Sequence, residues 1–198
     1  MTDLPRRWPL PDHGADRDAL VAAYADPARG YHDVLHLTEV LDRLEQLATR
    51  LSFDLTCVSL AAWWHDAVYD GERDAEERSA RWAEEALAGT PYAAEVARLV
   101  RLTEHHDPTT DDVAGQALCD ADLAILASER GRYDAYVAGV CRDYAHVSDA
   151  DFTAGRAAVL RDLLGRARLF GTSYAREQWE PQARLNLQRE LGGLDPQV

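Results

Sequence analysis

The amino-acid sequence predicts an all-α protein folded as one domain, and three observations favour this class. Apolar residues recur at helical spacing along most of the chain, and prolines fall mainly near its ends and between the periodic segments. No segment alternates apolar and polar residues in the way that a strand does. The 198 residues are enough for one domain with a substantial core, so we expect a single domain over residues 1–198.

Nine helical segments are predicted in chain order. They cover about residues 16–24, 32–50, 54–69, 75–87, 91–106, 112–127, 132–145, 149–170 and 174–191. The second has apolar residues at i, i+3, i+4 and i+7 from Leu37 to Leu51, which is the spacing of one buried helix face. Asp54 and Ser148 are typical N-caps of the third and eighth helices, and Pro91 suits the first turn of the fifth.

The third predicted helix is apolar almost all round, which is typical of a central, buried helix. It becomes polar only in the sequence WWHDAVYD, where His65 and Asp66 follow two tryptophans. A buried carboxylate is paired, protonated or bound to metal. Neighbouring helical side chains point about 100° apart. The pair would therefore chelate an ion only if other helices supplied further ligands, and a solvated helix end is the plain alternative.

Charge and residue types limit the partners that the chain can have. It carries 35 acidic and 21 basic residues, and this balance is poorly suited to duplex nucleic acid, whose binding depends on basic groups at the phosphates. All basic residues are arginine, which excludes a Schiff-base, pyridoxal-phosphate or P-loop lysine. The negative net charge is still compatible with a small phosphorylated substrate, because a metal ion or an arginine cluster can make the electrostatic potential positive inside one cleft.

Location and redox state are predicted from features that the sequence lacks. It has no early apolar run like a signal peptide, and no stretch approaches the ~18 consecutive apolar residues of a membrane helix. We therefore expect a cytoplasmic protein that does not enter a membrane. The cysteines are far apart and form no CxxC pair, so we expect reduced, mostly buried thiols at Cys57, Cys119 and Cys141.

Two other helices carry groups that are suited to metal. His32 and His36 lie four residues apart near the start of the second helix, so two imidazoles share one face and can converge on an ion. Asp120 and Asp122 lie two apart on the sixth helix, so only one of them can face a shared site well. The apolar residues one turn either side of Asp122 make it the better ligand candidate, whereas Asp120 is expected at the helix surface or in a supporting role.

In chain order these residues form the pattern H…HD…D, from His36 through His65 and Asp66 to Asp122. The pattern resembles that of the HD superfamily of metal-dependent phosphohydrolases. The sequence YHDVLH is similar to the YHN-type motif of the cyclic nucleotide phosphodiesterase branch, with Asp33 where that motif has asparagine. The sequences WWHDAVYD, EERSA, TEHH and DADLAIL resemble a bacterial group of predicted HD-superfamily phosphohydrolases.

The resemblance implies an HD-type helical bundle with a central metal site held by His36, His65, Asp66 and Asp122. Two imidazoles and two carboxylates suit Mn²⁺, Fe²⁺, Co²⁺, Ni²⁺ or Zn²⁺, and Mg²⁺ less well. One ion or two are expected, with Asp66 able to bridge them. By the same resemblance, water activated by the metal attacks phosphorus, Asp66 takes part in catalysis, and His32 protonates the departing oxygen.

The resemblance covers about residues 24–190. It is less specific for the residues that contact the substrate than for the metal ligands. We expect Arg29 first and Arg78 second to contact the phosphate of a small phosphorylated substrate, such as a nucleotide, although surface roles fit equally well. His106 is expected at the substrate because its context is similar to a TxxH pattern. A homo-oligomer is compatible with the sequence. Further candidates to orient water or substrate are Asp70, Glu76 and Glu77.

Two alternatives stay open at this point. Some HD-fold proteins are di-iron oxygenases with additional histidine ligands, and His105 or His106 would supply one here. The chain could also be a metal-bearing module that binds a nucleotide or a partner without turnover. The additional imidazole of His32, beside a full ligand set, favours catalysis, because a purely structural site does not need it.

Overall fold

The computed structural model describes residues 4–194, and every regular element among them is helical, which confirms the all-α prediction for this part of the chain. Residues 1–3 and 195–198 of the predicted domain lie outside the described residues. The α-helices are α1 Gly14–Tyr24, α2 Val34–Ala48, α3 Leu55–Trp64, α4 Ala75–Ala86, α5 Ala93–Leu102, α6 Val113–Leu123, α7 Arg130–Asp143, α8 Asp149–Gly165, α9 Ser173–Gln178 and α10 Glu180–Leu194. Short 3-10 helices cover Leu4–Arg7, Pro11–His13 and Ala124–Ala127. Within residues 4–194, no helix is long and apolar enough to cross a membrane.

Helix α3 lies at the centre of the structure, as its uniformly apolar sequence predicts. It contacts α2, α4, α5 and α6, and its last residues, Trp63 and Trp64, are fully buried. Trp8 packs the edge of its ring against Trp63, with the ring centroids 5.1 Å apart. Burying such large apolar side chains on all sides of one helix stabilises the bundle around it. The cysteines of this part of the chain are free, with Cys57 and Cys119 buried and Cys141 exposed.

Side-chain caps fix where the helices that carry the site begin. Asp33 accepts hydrogen bonds from two backbone N–H groups in the first turn of α2. Asp54 and Ser148 accept one each at the starts of α3 and α8, which confirms both predicted N-caps. Asp112 does the same for α6. Each cap stabilises its helix by about 1 kcal/mol, so the first turns of α2 and α6 are held in register.

Helix α3 ends at Trp64, well before its predicted end, because side chains take over its last backbone hydrogen bonds. The imidazole Nδ1 of His65 lies 2.7 Å from the carbonyl O of Ala62. In a continued helix that carbonyl would accept the backbone N–H of Asp66, which donates instead to the hydroxyl of Tyr24. His65 and Asp66 therefore lie in the turn that follows α3 and not within the helix.

Three other predicted boundaries are wrong by several residues. Helix α5 ends before His106, whose φ of 51° is left-handed and turns the chain out of the helix. Helix α8 ends at Gly165, and the backbone of Arg166 is extended. The last predicted helix is two helices that meet at Trp179, because Pro181 has no backbone N–H with which to continue the first of them.

Candidate metal centre

Four side chains that the resemblance assigns to metal meet between α2, α3 and α6. His36 lies in the first turn of α2, His65 and Asp66 in the turn after α3, and Asp122 in the last turn of α6. His36, His65 and Asp66 offer donor atoms that all lie within 4.8 Å of one another, a set that can hold a metal ion. Asp122 Oδ1 lies 3.2 Å from His36 Nε2 and 3.6 Å from His65 Nε2, so it faces the same point.

Contacts behind this cluster hold His65 in one orientation. Its Nδ1 lies 2.7 Å from the carbonyl O of Ala62, and because a carbonyl only accepts hydrogen bonds, this nitrogen carries a proton. In the neutral ring, Nε2 then keeps its lone pair, and Nε2 is the atom that faces the cluster. The hydroxyl of Tyr24 lies 3.5 Å from the same Nδ1 and accepts the backbone N–H of Asp66 at 3.2 Å. One buried phenol thus supports two neighbouring members of the cluster.

The atoms at the centre of the cluster are better arranged to bind a cation than to form hydrogen bonds with one another. Asp66 Oδ2 lies 3.0 Å from His65 Nε2 and 3.2 Å from His36 Nε2. Even so, within residues 4–194 this buried oxygen has no partner in hydrogen-bond geometry. The two Nε2 atoms lie 3.0 Å apart, although neutral imidazole can offer a lone pair at that position. Two such nitrogens and two carboxylates around one point fit a divalent ion, as the resemblance implies.

Pairing of opposite charges dominates the electrostatics of the cluster. Burial opposes ionisation of all four groups, but the carboxylates of Asp66 and Asp122 raise the pKa of His36 and of His65. In return, the imidazoles hold the pKa of Asp66 and of Asp122 well below the usual range, again against the effect of burial. Both carboxylates are therefore ionised near neutral pH. A bound divalent cation would replace the imidazole protons as their balancing charge.

His106 reaches the cluster from the turn after α5. Its Nε2 lies 2.7 Å from Asp122 Oδ2, the carboxylate oxygen that does not face His36. A histidine that hydrogen-bonds to a ligating carboxylate fixes the orientation of that carboxylate, as outer partners in metal sites do. The neighbouring His105 is directed to solvent, with its side chain 78% exposed. The structure thus brings His106 to the candidate ligands, while its predicted contact with substrate stays a prediction.

His32, the predicted proton donor, lies beside the cluster. Its ring stacks on Tyr69 with the centroids 4.0 Å apart, and its centroid is 5.6 Å from that of His36. Its Nδ1 lies 3.3 Å from Asp143 Oδ2 at the end of α7. Asp143 also accepts two backbone N–H groups from the residues just before His32, so both the ring and its backbone are tied to one carboxylate. Burial would raise the pKa of Asp143, but these hydrogen bonds lower it overall.

The two arginines that were expected at the phosphate make contacts within the protein. Arg29 donates to three backbone carbonyls, at 2.8, 2.8 and 2.9 Å, in the segment before α2 and the turn after α3. It therefore holds together the two segments that carry His32 and Asp66. Arg78 forms a two-bond pair with Asp70, at 2.6 and 2.7 Å, near the start of α4. Glu77 is likewise paired, with Arg81 and Arg101. Contacts of these residues with substrate stay predictions.

Sequence reasoning missed two residues that support the site, Tyr24 and Asp143. Tyr24 acts on His65 from 41 positions away, and Asp143 acts on His32 from 111 positions away. No local pattern marks either residue, because the last residue of an amphipathic helix can be polar for many reasons. Only the packing of α1 and α7 against the turns that carry the histidines shows their role.

Asp120 has a different place from the one expected at the helix surface. Asp120 is only 1% exposed. Both of its carboxylate oxygens accept hydrogen bonds from backbone N–H groups, one from Gly171 at 2.6 Å and one from Thr172 at 2.8 Å. Burial raises the pKa of Asp120, and these amides oppose that shift by stabilising the carboxylate. The surface interpretation is wrong, because this residue anchors the segment between α8 and α9 on α6.

No protein-family model, curated protein or solved structure matches the chain. The geometry of the site combines a buried set of cation ligands with an imidazole that is partly open to solvent and fixed beside them. Such a combination can polarise a bound group and deliver a proton to it.

Proposed function

We propose that this protein is a metal-dependent phosphoric ester hydrolase of the HD superfamily, which cleaves a small phosphorylated substrate with water. The observation that carries the proposal is the convergence of His36, His65, Asp66 and Asp122 from three helices, with His32 fixed beside them. The ligand types favour one or two ions of Mn²⁺, Fe²⁺, Co²⁺, Ni²⁺ or Zn²⁺ over Mg²⁺. A purely structural zinc site is usually closed by thiolates or imidazoles, and no cysteine belongs to this cluster.

The residues around the cluster keep its donor atoms in place before any substrate arrives. A divalent ion held there would supply Lewis acidity toward water and toward the phosphoryl oxygens. His65 and Asp66 are held from behind by Ala62 and Tyr24, so they need little rearrangement during the reaction. Asp66 Oδ2 has no hydrogen-bond partner among the described residues, and in this proposal it is the oxygen that would bind the ion.

His32 supplies the proton for the leaving group. Asp143 holds Nδ1 of the ring, which leaves Nε2 to carry the proton that is transferred. The attacking water loses one proton to solvent as its oxygen bonds to phosphorus. The bond from phosphorus to the alcohol oxygen breaks, and that oxygen takes the proton from His32 Nε2. The products are the free alcohol and inorganic phosphate, which keeps the second proton of the water. Solvent then restores the proton of His32, because its side chain is 22% exposed.

The substitution Asp66→Ala tests the proposal, with Asp162→Ala as the matched control. Asp162 is an exposed carboxylate on α8 that pairs with Arg166. After loading with Mn²⁺ or Zn²⁺, metal content is measured together with hydrolysis of p-nitrophenyl phosphate and bis(p-nitrophenyl) phosphate. We expect the wild type and Asp162→Ala to hold metal and cleave at least one ester, and Asp66→Ala to lose both properties.

Two outcomes of that experiment would overturn the proposal. One is a wild type that retains no transition metal after loading. The other is hydrolysis that is unchanged in Asp66→Ala, because the activity would then belong to another site or to a contaminant. Circular dichroism of each variant separates loss of the site from loss of the fold.

A second candidate function is favoured by the position of His106. Its ring lies 2.7 Å from Asp122, so a third histidine is available beside the cluster, as a di-iron oxygenase requires. Two iron ions per chain together with substrate-dependent oxygen uptake would support that function. Metal without either activity would instead indicate a module that binds a nucleotide or a partner without turnover.

A further inference from the structure

Arg29 joins the segment that carries the proposed proton donor to the turn that carries two of the proposed metal ligands. Its Nη1 donates to the carbonyl O of His32 and to that of Asp66, both at 2.8 Å. Its Nη2 donates to the carbonyl O of Ala67 at 2.9 Å. One planar guanidinium, whose donors have a fixed geometry, therefore connects the backbone before α2 to the backbone after α3.

Two tyrosine rings contact the same guanidinium. Arg29 Cζ lies 4.9 Å from the ring centroid of Tyr24 and 5.9 Å from that of Tyr69, so the cation is attracted to both rings. Tyr24 is fully buried, and its hydroxyl accepts the backbone N–H of Asp66. Tyr69 stacks on the imidazole of His32, with the centroids 4.0 Å apart. Each ring that contacts Arg29 thus also contacts a residue of the site.

The other side of the segment that carries His32 is fixed to α7. Gly30 and Gly139 pack backbone against backbone, so closely that a Cβ on Gly139 would lie 2.8 Å from the carbonyl O of Gly30. Asp143, the last residue of α7, accepts the backbone N–H of Gly30 and holds the ring of His32. Helix α7 therefore fixes one side of this segment, and Arg29 fixes the other side to the turn after α3.

We propose that Arg29 is a positioning residue, which sets the distance from the metal cluster at which His32 can protonate the leaving oxygen. The inference rests on the proposed function, because that function assigns the proton transfer to His32. Arg29 acts through the backbone of both segments and does not need to touch the substrate. A displacement of about 1 Å in a reacting group can lower a rate by about 100-fold, so this role is measurable.

Two monoesters of similar size test this role, because they differ in how much they need a proton. p-Nitrophenolate leaves as a stable anion, whereas the alkoxide of benzyl phosphate has to be protonated. In single turnovers with saturating metal, we expect Arg29→Gln to lower the rate for benzyl phosphate by about 10–100-fold. The rate for p-nitrophenyl phosphate should fall by less than about threefold. If the wild type cleaves only diesters, bis(p-nitrophenyl) phosphate and dibenzyl phosphate give the same comparison.

Arg184→Gln is the matched control. Arg184 also donates to two backbone carbonyls, at 2.9 and 3.2 Å, where the end of α8 meets α10. We expect its loss to lower Tm, as that of Arg29 does, and to leave the ratio of the two rates unchanged. A residue that only supports the fold would lower both rates by the same factor.

Arg29→Lys separates positioning from the phosphate contact that the resemblance implies. Lysine keeps the positive charge but lacks the planar fork that reaches three carbonyls. We therefore expect Arg29→Lys to keep most of the loss for benzyl phosphate. Recovery of both rates to wild-type values in Arg29→Lys would assign the residue to charge and would overturn the inference.

A measurement on the metal-free protein shows whether Arg29 fixes His32. The ring current of Tyr69 changes the NMR chemical shifts of the imidazole C–H groups stacked on it, which are assigned by their absence in His32→Gln. At alkaline pH, where imidazoles are neutral, we expect Arg29→Gln to move these signals toward their positions in Tyr69→Leu. Arg184→Gln should leave them in place. Unchanged signals in Arg29→Gln would contradict the inference.

The combined results distinguish failure of the inference from failure of the proposed function. If the wild type holds metal and cleaves neither ester, the hydrolase and its proton transfer are rejected, and the chemical shifts still decide whether Arg29 positions His32. If the wild type cleaves both esters and the two rates fall equally in Arg29→Gln, the hydrolase stands and the inference is overturned.

Discussion

Two carboxylates on α6, Asp120 and Asp122, lie two residues apart and have different surroundings. Asp120 is the more deeply buried, and both of its oxygens accept backbone N–H groups from the segment between α8 and α9. Asp122 faces three imidazoles, and its neighbour in the cluster, Asp66, has an oxygen with no hydrogen-bond partner in residues 4–194. Backbone amides satisfy Asp120, whereas Asp122 belongs to a cluster in which one carboxylate oxygen, Asp66 Oδ2, has no hydrogen-bond partner in the described residues. The partners of a carboxylate, and not its burial, therefore distinguish the candidate ligand Asp122 from Asp120.

The largest expected difference between the two carboxylates is in metal affinity. We expect Asp122→Asn to weaken binding of Mn²⁺ or Zn²⁺ by more than the ~10–100-fold that a lost outer partner costs, because a charged donor is lost. Asp120→Asn should bind metal as the wild type does, since Asp120 bonds to backbone amides. Competition with a fluorescent chelator measures both. Equal losses in the two variants would abolish the distinction.

The next largest effect is on the free energy of unfolding, and here we expect substitution of Asp120 to have a greater effect than substitution of Asp122. In the presence of EDTA, Asp120→Ala should lower the free energy of unfolding by about 2–4 kcal/mol, because two backbone N–H groups lose their acceptor. Asp122→Ala should cost less, since the imidazoles that face it can lose their protons. Urea unfolding followed by circular dichroism tests this order, and a greater loss in Asp122→Ala would contradict it.

Asp143 tests the distinction more finely, because it combines both uses of a carboxylate. It anchors two backbone N–H groups, as Asp120 does, and it also holds the ring of His32. We expect Asp143→Asn to lower kcat by about tenfold with metal affinity unchanged, because the variant loses the carboxylate that holds Nδ1 of His32. An unchanged kcat would assign Asp143 to structure alone.

The smallest effect is expected at the far end of the Asp120 anchor. Thr172 donates its backbone N–H to Asp120 and uses its Oγ1 to cap α9, accepting from Ala175 N at 3.1 Å. Thr172→Ala keeps the backbone contact and removes the cap, so the free energy of unfolding should fall by about 1 kcal/mol. Metal binding should be unaffected. A clear loss of metal affinity in this variant would show that the anchor and the cluster are coupled.

Much of the helical framework could be predicted from the sequence. The apolar sequence of α3 indicates a central, buried helix. Asp54 and Ser148 correctly mark the starts of α3 and α8, because an N-cap bonds to backbone N–H groups within one turn. The four candidate ligands were identified by their order in the chain, and the structure brings them to one point. Helix ends were less predictable. At the end of α3, the imidazole of His65 and the hydroxyl of Tyr24, 41 residues away, take the place of the backbone hydrogen bond that would continue the helix.

The sequence by itself determined the residue types of the site and the helices that carry them, because local periodicity and capping depend on near neighbours. Only the tertiary structure decided which groups are satisfied and which are not. It buried Asp120 against backbone amides, committed Arg29 to three carbonyls, and placed Tyr31 in a cavity wall without a hydrogen-bond partner in the described residues. The physical reason is that hydrogen bonding and desolvation depend on atoms brought together from distant parts of the chain, which no local pattern records.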